Sequence, residues 1–231
     1  MKRVIAFILL LAMLFSFTSC KGLGAIGELS KTVAGLQGLA ADIEKYEKMA
    51  EKLTNFKIVI ETTNNDGSKE QFTEMRCDKG HMFMGGGYIY FTDVDAKKSY
   101  NLNPSEKSGY VMEYTGDNTE TFGSYTYGFL FFASAYRFIG AEKGGSEKVN
   151  NRKATYYTAS VDNETIKFWV DEEYGITVKY TKITKNDDGT EHKESMEVTE
   201  FKTGSVKLSD MVNVNDYEII DFNNFADGWG D

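Results

Sequence analysis

Hydrophobic and polar residues alternate along most of this chain. Phe56, Ile58 and Ile60 are interleaved with Lys57 and Glu61, the period of two that sends one side of a strand into a core and the other into water. Asn64-Asn65-Asp66-Gly67 then offers the residues a hairpin turn needs. The pattern predicts further short strands over residues 71–77, 81–84, 88–91, 99–102 and 110–114, punctuated by Asp78-Lys79-Gly80, Gly85-Gly86-Gly87 and Asn103-Pro104-Ser105. The triple glycine reads as a sharp bend or a bulge that curves the sheet. A second set repeats the logic with Tyr157, Ala159 and Val161, then Ile166, Phe168 and Val170, then Ile176, Val178 and Tyr180. Asp162-Asn163-Glu164, Glu173-Tyr174-Gly175 and Asn186-Asp187-Asp188-Gly189 provide its turns. A phase change between Val198 and Phe201 predicts a bulge in the last long strand, 192–201.

Two stretches break this period. Ile26, Leu29, Val33, Leu36, Ala40 and Ile43 recur every three or four residues, and Tyr46, Ala50 and Leu53 continue the stripe, which is helical spacing. Glycines at 22, 24, 27, 35 and 38 weaken its front, so the firm helix is expected over 40–53, behind a tether. Between the two strand sets, residues 121–139 hold eight aromatic residues in a chain that averages 14%. Phe129, Phe132 and Tyr136 share a helical face with Tyr125 one turn earlier, predicting a short aromatic helix that either plugs the sheet or roofs a cavity. Tight turns at regular spacing predict an antiparallel meander curling into a barrel or half-barrel. The fold class is therefore mainly β with helices (α+β).

The first twenty residues carry a different message. Met1-Lys2-Arg3 precedes an almost unbroken apolar run from Val4 to Phe17, which has the layout of a secretory signal peptide and is short for a permanent membrane span. Phe17-Thr18-Ser19-Cys20 resembles the lipobox of bacterial lipoproteins, with Phe17 where leucine is usual. That resemblance implies cleavage before Cys20, lipidation of Cys20, and anchorage to a membrane through N-terminal acyl chains, each buried methylene adding about 0.8 kcal/mol. Lys21, in place of an aspartate, favours an outer-membrane address. The expected organisation is a lipoprotein signal peptide over 1–19, an anchor and tether over 20–39, a helix plus half-barrel over 40–220, and a tail over 221–231.

Loss of Lys2 and Arg3 with the leader takes the net charge from −9 to −11. So acidic a body lacks the basic groups that neutralise phosphates, which argues against nucleic acid as a partner. With Cys20 lipidated, Cys77 is the one remaining thiol; a lone cysteine in a strand reads as a small buried apolar residue. The two histidines, His81 and His192, do not make a histidine-rich metal site. His81-Met82-Phe83-Met84 has soft-metal ligand types but also plain strand alternation. Asp93-Val94-Asp95 and Asn186-Asp187-Asp188-Gly189 lack the spacing of an EF-hand and sit at turns. No Gly-x-Ser-x-Gly, His-Glu-x-x-His or phosphate-binding glycine loop of the Gly-x-x-x-x-Gly-Lys-Ser/Thr type occurs. No cofactor, metal or catalytic set is expected, and the chain reads as a non-enzyme.

The order of elements resembles the LolA/LolB-like superfamily of lipoprotein carriers and related lipid-binding lipoproteins. The helix through residues 40–53 leading into Phe56-Lys57-Ile58-Val59-Ile60, the insert Gly128-Phe129-Leu130-Phe131-Phe132-Ala133, the late hairpin at 168–176, and the closing Leu208-Ser209-Asp210 with Asp216-Tyr217-Glu218-Ile219 carry the likeness. It implies an incomplete antiparallel β-barrel whose concave face, closed by short helices, binds a lipid or other apolar ligand. Tyr125, Phe129, Phe132, Tyr136, Phe168 and Trp169 are the expected ligand contacts; Trp169 points away from the Ile166, Phe168, Val170 face and so belongs to a second apolar surface or to the ligand. The anchor departs from the soluble carrier of that family and favours receiving or presenting an acyl chain at a membrane, in the cell envelope facing the periplasm. The competing reading is an envelope interaction or assembly lipoprotein that uses the sheet as a platform for a protein partner and has no ligand cavity.

Overall fold

The computed structural model describes residues 41–114 and 141–222. The expected leader with Cys20, the expected tether, the aromatic insert and the last residues of the expected tail lie outside them. Residues 41–50 are helical. Twelve strands follow: Phe56–Thr63 (β1), Lys69–Cys77 (β2), Gly80–Gly85 (β3), Tyr88–Asp93 (β4), Lys98–Asn103 (β5), Ser108–Glu113 (β6), Glu142–Val149 (β7), Arg152–Val161 (β8), Glu164–Asp171 (β9), Thr177–Lys185 (β10), Glu191–Thr203 (β11) and Glu218–Asp221 (β12). They form one open, curved sheet in the order β12-β6-β5-β4-β3-β2-β1-β11-β10-β9-β8-β7.

The meander expected from the turn signals is thus two meanders. β1–β6 and β7–β11 each pair in sequence order, and the sheet becomes continuous where β1 pairs antiparallel with β11. Thr199 is the extra residue at that seam, since Val59 faces Glu200 while Ile60 faces Val198; the bulge falls where the phase of β11 changes. β12 adds to β6 in parallel, from Glu218 beside Ser108 to Asp221 beside Val111. The triple glycine is a hairpin loop: Gly86 and Gly87 have φ of +60° and +83°, and Gly85 pairs with Tyr88.

Each half of the sheet is covered on a different side. On the side we call the front, the helix lies over β8 to β10: Ile43 and Tyr46 pack with Tyr157, Ile166 and Phe168. The Tyr157 and Phe168 rings stack at 5.2 Å. The Tyr157 hydroxyl donates to Asp42 at 2.9 Å, and burial, reinforced by Tyr46 and Asp42, pushes this phenol's pKa well above its ordinary value. Gly175, at φ +72°, lets the turn after β9 touch the helix, because a Cβ there would stand 2.5 Å from the Tyr46 carbonyl oxygen. Ala50 and Leu53 extend the seam over Phe56, Ile58 and Ile60.

On the back, the chain after β11 crosses β2 to β6. Asn55 fixes its start, its amide donating to the Val206 carbonyl at 2.8 Å and accepting from the Val206 N–H at 2.9 Å. Val206, Leu208 and Met211 then pack on Met75, Cys77, Met82, Phe91 and Leu102. Cys77 is a buried apolar residue of this cluster. Because alternate residues face opposite sides, Met82 belongs to this back cluster while His81 faces front. The thioethers of Met82 and Met84 therefore do not converge with the imidazole.

At the β7 edge, Glu172 accepts hydrogen bonds from Lys153 at 2.7 Å, Ser146 and Thr155. Lys153 first, then Ser146 and Thr155, hold its carboxyl down to about 2 from an ordinary 4.5. A depressed pKa stabilises the fold fully above the unfolded value, and that contribution is lost as pH falls through the folded one. Urea denaturation of Glu172→Gln should accordingly show a flatter loss of stability from about pH 4.5 to about pH 2 than the parent. Parallel curves for the two chains would mean that these bonds do not form in solution.

Candidate ligand-binding face

Among the described residues, the covering segments leave two stretches of sheet. The back of β7 to β11 and of β1 is laced with charge: Lys57 pairs with Glu200 at 3.1 Å, Lys179 with Glu197 at 3.4 Å and Lys167 with Glu147 at 3.2 Å. Such a surface is at ease in water. The front of β2 to β6 with β12 is different. Cross-strand pairing there lines up Glu74, Phe83, Tyr90, Asn101, Tyr110 and Ile220, one from each successive strand.

Ring contacts make this row continuous. Phe72 stacks on Phe83 at 6.0 Å, Phe83 meets Tyr90 at 6.4 Å, and Tyr110 meets Phe222 at 5.8 Å. Asn101 bridges the gap by donating to the Tyr110 hydroxyl at 2.7 Å. Gly85 is what allows the Phe72 ring to lie flat: a Cβ at that position would come within 2.0 Å of it. Among the described residues, Phe83, Tyr90, Tyr110 and Ile220 belong to none of the three buried clusters. Ile220 is 59% and Phe222 52% exposed, Tyr110 is exposed beside them, and Tyr88 is exposed on β4. Apolar residues grouped in this way on a surface make it a candidate binding site. The row crosses five strand spacings, about 24 Å, against roughly 15 Å for one leaflet of a bilayer's hydrocarbon core.

Of the residues expected to contact a ligand, Tyr125, Phe129, Phe132 and Tyr136 lie outside the described residues, as does the lipidation candidate Cys20. Phe168 is 3% exposed in the seam under the helix. Trp169 is 6% exposed, on the opposite side of β9 from Phe168, and belongs to the buried cluster with Ala154, Ile176 and Val178. Its indole N–H donates to Glu147 at 2.9 Å, and Lys167 and Lys179 lie over its ring at 4.6 and 5.4 Å. The Trp169 bond first, then Lys167, lowers the Glu147 pKa. Phe168 and Trp169 thus serve two different packings on opposite faces. Phe72, Phe83, Tyr90 and Tyr110 are legible as strand residues, each strand offering one to three rings; their alignment comes only from pairing.

Among the described residues, no group of three or more His, Cys, Asp or Glu side chains is arranged to hold a metal ion, and no helix is long and apolar enough to cross a membrane.

No family model matches the sequence, and no curated protein matches it. Solved structures do. The chain is similar to an uncharacterized conserved protein from Thermus thermophilus, with 8% identity, a TM-score of 0.44, and coverage of 80% of this chain and 98% of that one. It is similar to LprF from Mycobacterium bovis at 7% identity and a TM-score of 0.42, covering 74% of this chain and 96% of that one. It is also similar to a LolA superfamily protein from Nitrosomonas europaea at 10% identity and a TM-score of 0.29, covering 75% and 97%.

Proposed function

We propose that this chain is a non-catalytic lipoprotein of the bacterial cell envelope, tethered to the outer membrane through an acylated Cys20 and facing the periplasm, and that the front of β2 to β6 binds the hydrocarbon of a lipid. The observation that carries this reading is the aromatic row Phe72, Phe83, Tyr90 and Tyr110, a contiguous apolar line on a part of the sheet that neither the described helix nor the C-terminal segment crosses. A site of this kind binds by removing apolar surface from water, at about 25 cal/mol per Å², with few polar contacts to fix orientation. It needs no catalytic constellation. The leader supports the address: a positive start, an apolar run and a cysteine after small residues. The insert residues Tyr125, Phe129, Phe132 and Tyr136 remain proposed contacts from outside the described part.

Organic extraction of protein purified from envelopes, followed by mass spectrometry, should find lipid in about stoichiometric amount. Phe83→Ala should weaken lipid binding roughly tenfold, the loss of one aromatic contact of about 0.5–1.5 kcal/mol plus its buried area, while costing little stability because the ring lies outside the core clusters. Empty protein with no saturable uptake of hydrocarbon would defeat the proposal. Exposed Ile220 and Phe222 at the β12 edge favour a second reading, a protein partner at that edge. Pull-down from solubilised envelopes tests it: a stoichiometric partner lost in Ile220→Asp supports it, and its retention excludes this edge.

A further inference from the structure

Beside the aromatic row, and one step along each strand on the same face, runs a second row of another character. Pairing places Arg76 of β2 next to His81 of β3, His81 next to Thr92 of β4, and Thr92 next to Ser99 of β5. Residues two apart on a strand are separated by about 7 Å, so ring and hydrocarbon lie parallel to a line of N–H and O–H groups. From β2 to β5 the front of this half-sheet is amphipathic, the polar row giving way to Met112 in β6.

The members of the polar row differ in what they have to spare. Thr92 and Ser99 hydroxyls bond each other at 3.1 Å. His81 is engaged by Glu74, Nε2 to Oε1 at 2.9 Å, and Glu74 is 1% exposed. Arg76 stands between Phe56 of β1 and His81; it is partly buried and has no carboxylate within ion-pair distance among the described residues. The contrast is with a chain of 35 acidic and 26 basic residues, in which the lysines on the other face of the same sheet are paired with glutamates. A guanidinium partly withdrawn from water gains from an anion, and its planar fork of donors fits a carboxylate or phosphate in a bidentate way.

We propose that Arg76 receives the anionic head of an amphiphile whose hydrocarbon lies along Phe83 and Tyr90, so that the face selects chain-end anions over neutral lipids. The inference rests on the lipid-binding reading above and adds the class of head group. Charge complementarity fixes the orientation: the head sits at the β2 side, between the helix-covered half of the sheet and the aromatic row, and the tail runs toward β6 and β12. Thr92 and Ser99 continue the line as donors for the polar atoms next to the head.

The test uses the mature chain carrying Cys20→Ser, which has no acyl group of its own, with Nile red as a neutral reporter displaced by palmitate, hexadecyl phosphate or methyl palmitate. The two anions should bind at least about tenfold tighter than the ester, as one charge-assisted contact provides. Arg76→Gln should remove that advantage and leave the ester within about twofold of its parent value, while Arg76→Lys keeps part of it. Phe83→Ala should weaken all three alike. Equal binding of the three amphiphiles by the parent, or an advantage that survives Arg76→Gln, overturns the role of Arg76 while lipid binding stands. Failure of all three to bind saturably overturns the lipid-binding reading itself and this inference with it. A preference for only one of the two anions, abolished by Arg76→Gln, supports the site and names its head group as carboxylate or phosphate.

Discussion

Phe168→Ala is expected to lower the stability of the fold by about 3–5 kcal/mol, the usual cost of removing a buried aromatic ring. Phe168 lies in the middle of the seam that holds the helix to the sheet, stacked on Tyr157 and packed with Ile43 and Tyr46. Its removal opens a cavity that neighbours on two sides, strand and helix, are too constrained to fill. Tyr157 is 1% exposed, and its hydroxyl is tied to Asp42, which also pairs with Lys143 at 2.7 Å. The helix would lose part of its footing without losing these polar ties. In a chain of this size the change should move the melting temperature on the order of 10 °C. Thermal denaturation by circular dichroism reads it directly. Lipid affinity measured well below the melting point should stay near the parent value, the reverse of what Phe83→Ala does. A variant that melts with the parent would show that the helix does not rest on this ring.

Asp171→Ala should be about as damaging, by about 3–5 kcal/mol, for an electrostatic reason. Asp171 is fully buried. It accepts from Arg152 Nε at 2.6 Å and from the backbone N–H groups of Glu173 and Tyr174 at 2.9 and 2.7 Å. One carboxylate thus anchors a cation and shapes the turn that meets the helix at Gly175. Arg152 meanwhile lies over Tyr174 and Phe201 at 5.0 and 4.9 Å. Taking the carboxylate away leaves a partly buried guanidinium among aromatic rings with, among the described residues, only the Glu173 carboxylate, at 3.7 Å, nearby. Removing both charges is less harmful than removing one. The double variant Arg152→Met, Asp171→Ala should therefore regain part of the loss, as urea denaturation of the two single variants and the double would show. Additive losses would mean that the pair contributes nothing as a pair.

The two substitutions illustrate how far local pattern reaches. Period-two alternation places Phe168 with Ile166 and Val170 on one side and Trp169 on the other, and the structure has them so. Turn chemistry is equally legible at Asn64-Asn65-Asp66-Gly67 and Asn186-Asp187-Asp188-Gly189, where Gly67 and Gly189 both take φ of +81°. β7 is not marked by any such signal, because Glu142-Lys143-Gly144-Gly145-Ser146-Glu147-Lys148 has no apolar face; an exposed edge strand draws its order from its neighbour. Trp169 is placed on a face by its period, but its lysine cover and its bond to Glu147 bring together residues from three strands, which no local pattern contains.

By itself, then, the sequence determined where most of the strands lie, which side of each is apolar, and where the chain turns, because these follow from alternation and from the few residues that tolerate tight loops. It also carries the apolar N-terminal run and the cysteine on which the proposed membrane address rests. Tertiary structure alone decided that β1 joins β11, that β12 runs parallel beside β6, and that Phe83, Tyr90 and Tyr110 stand in one line next to Arg76. Strand pairing connects residues far apart in the chain, and its register depends on how every hairpin closes at once. A row of side chains across a sheet comes into being only when those pairings do.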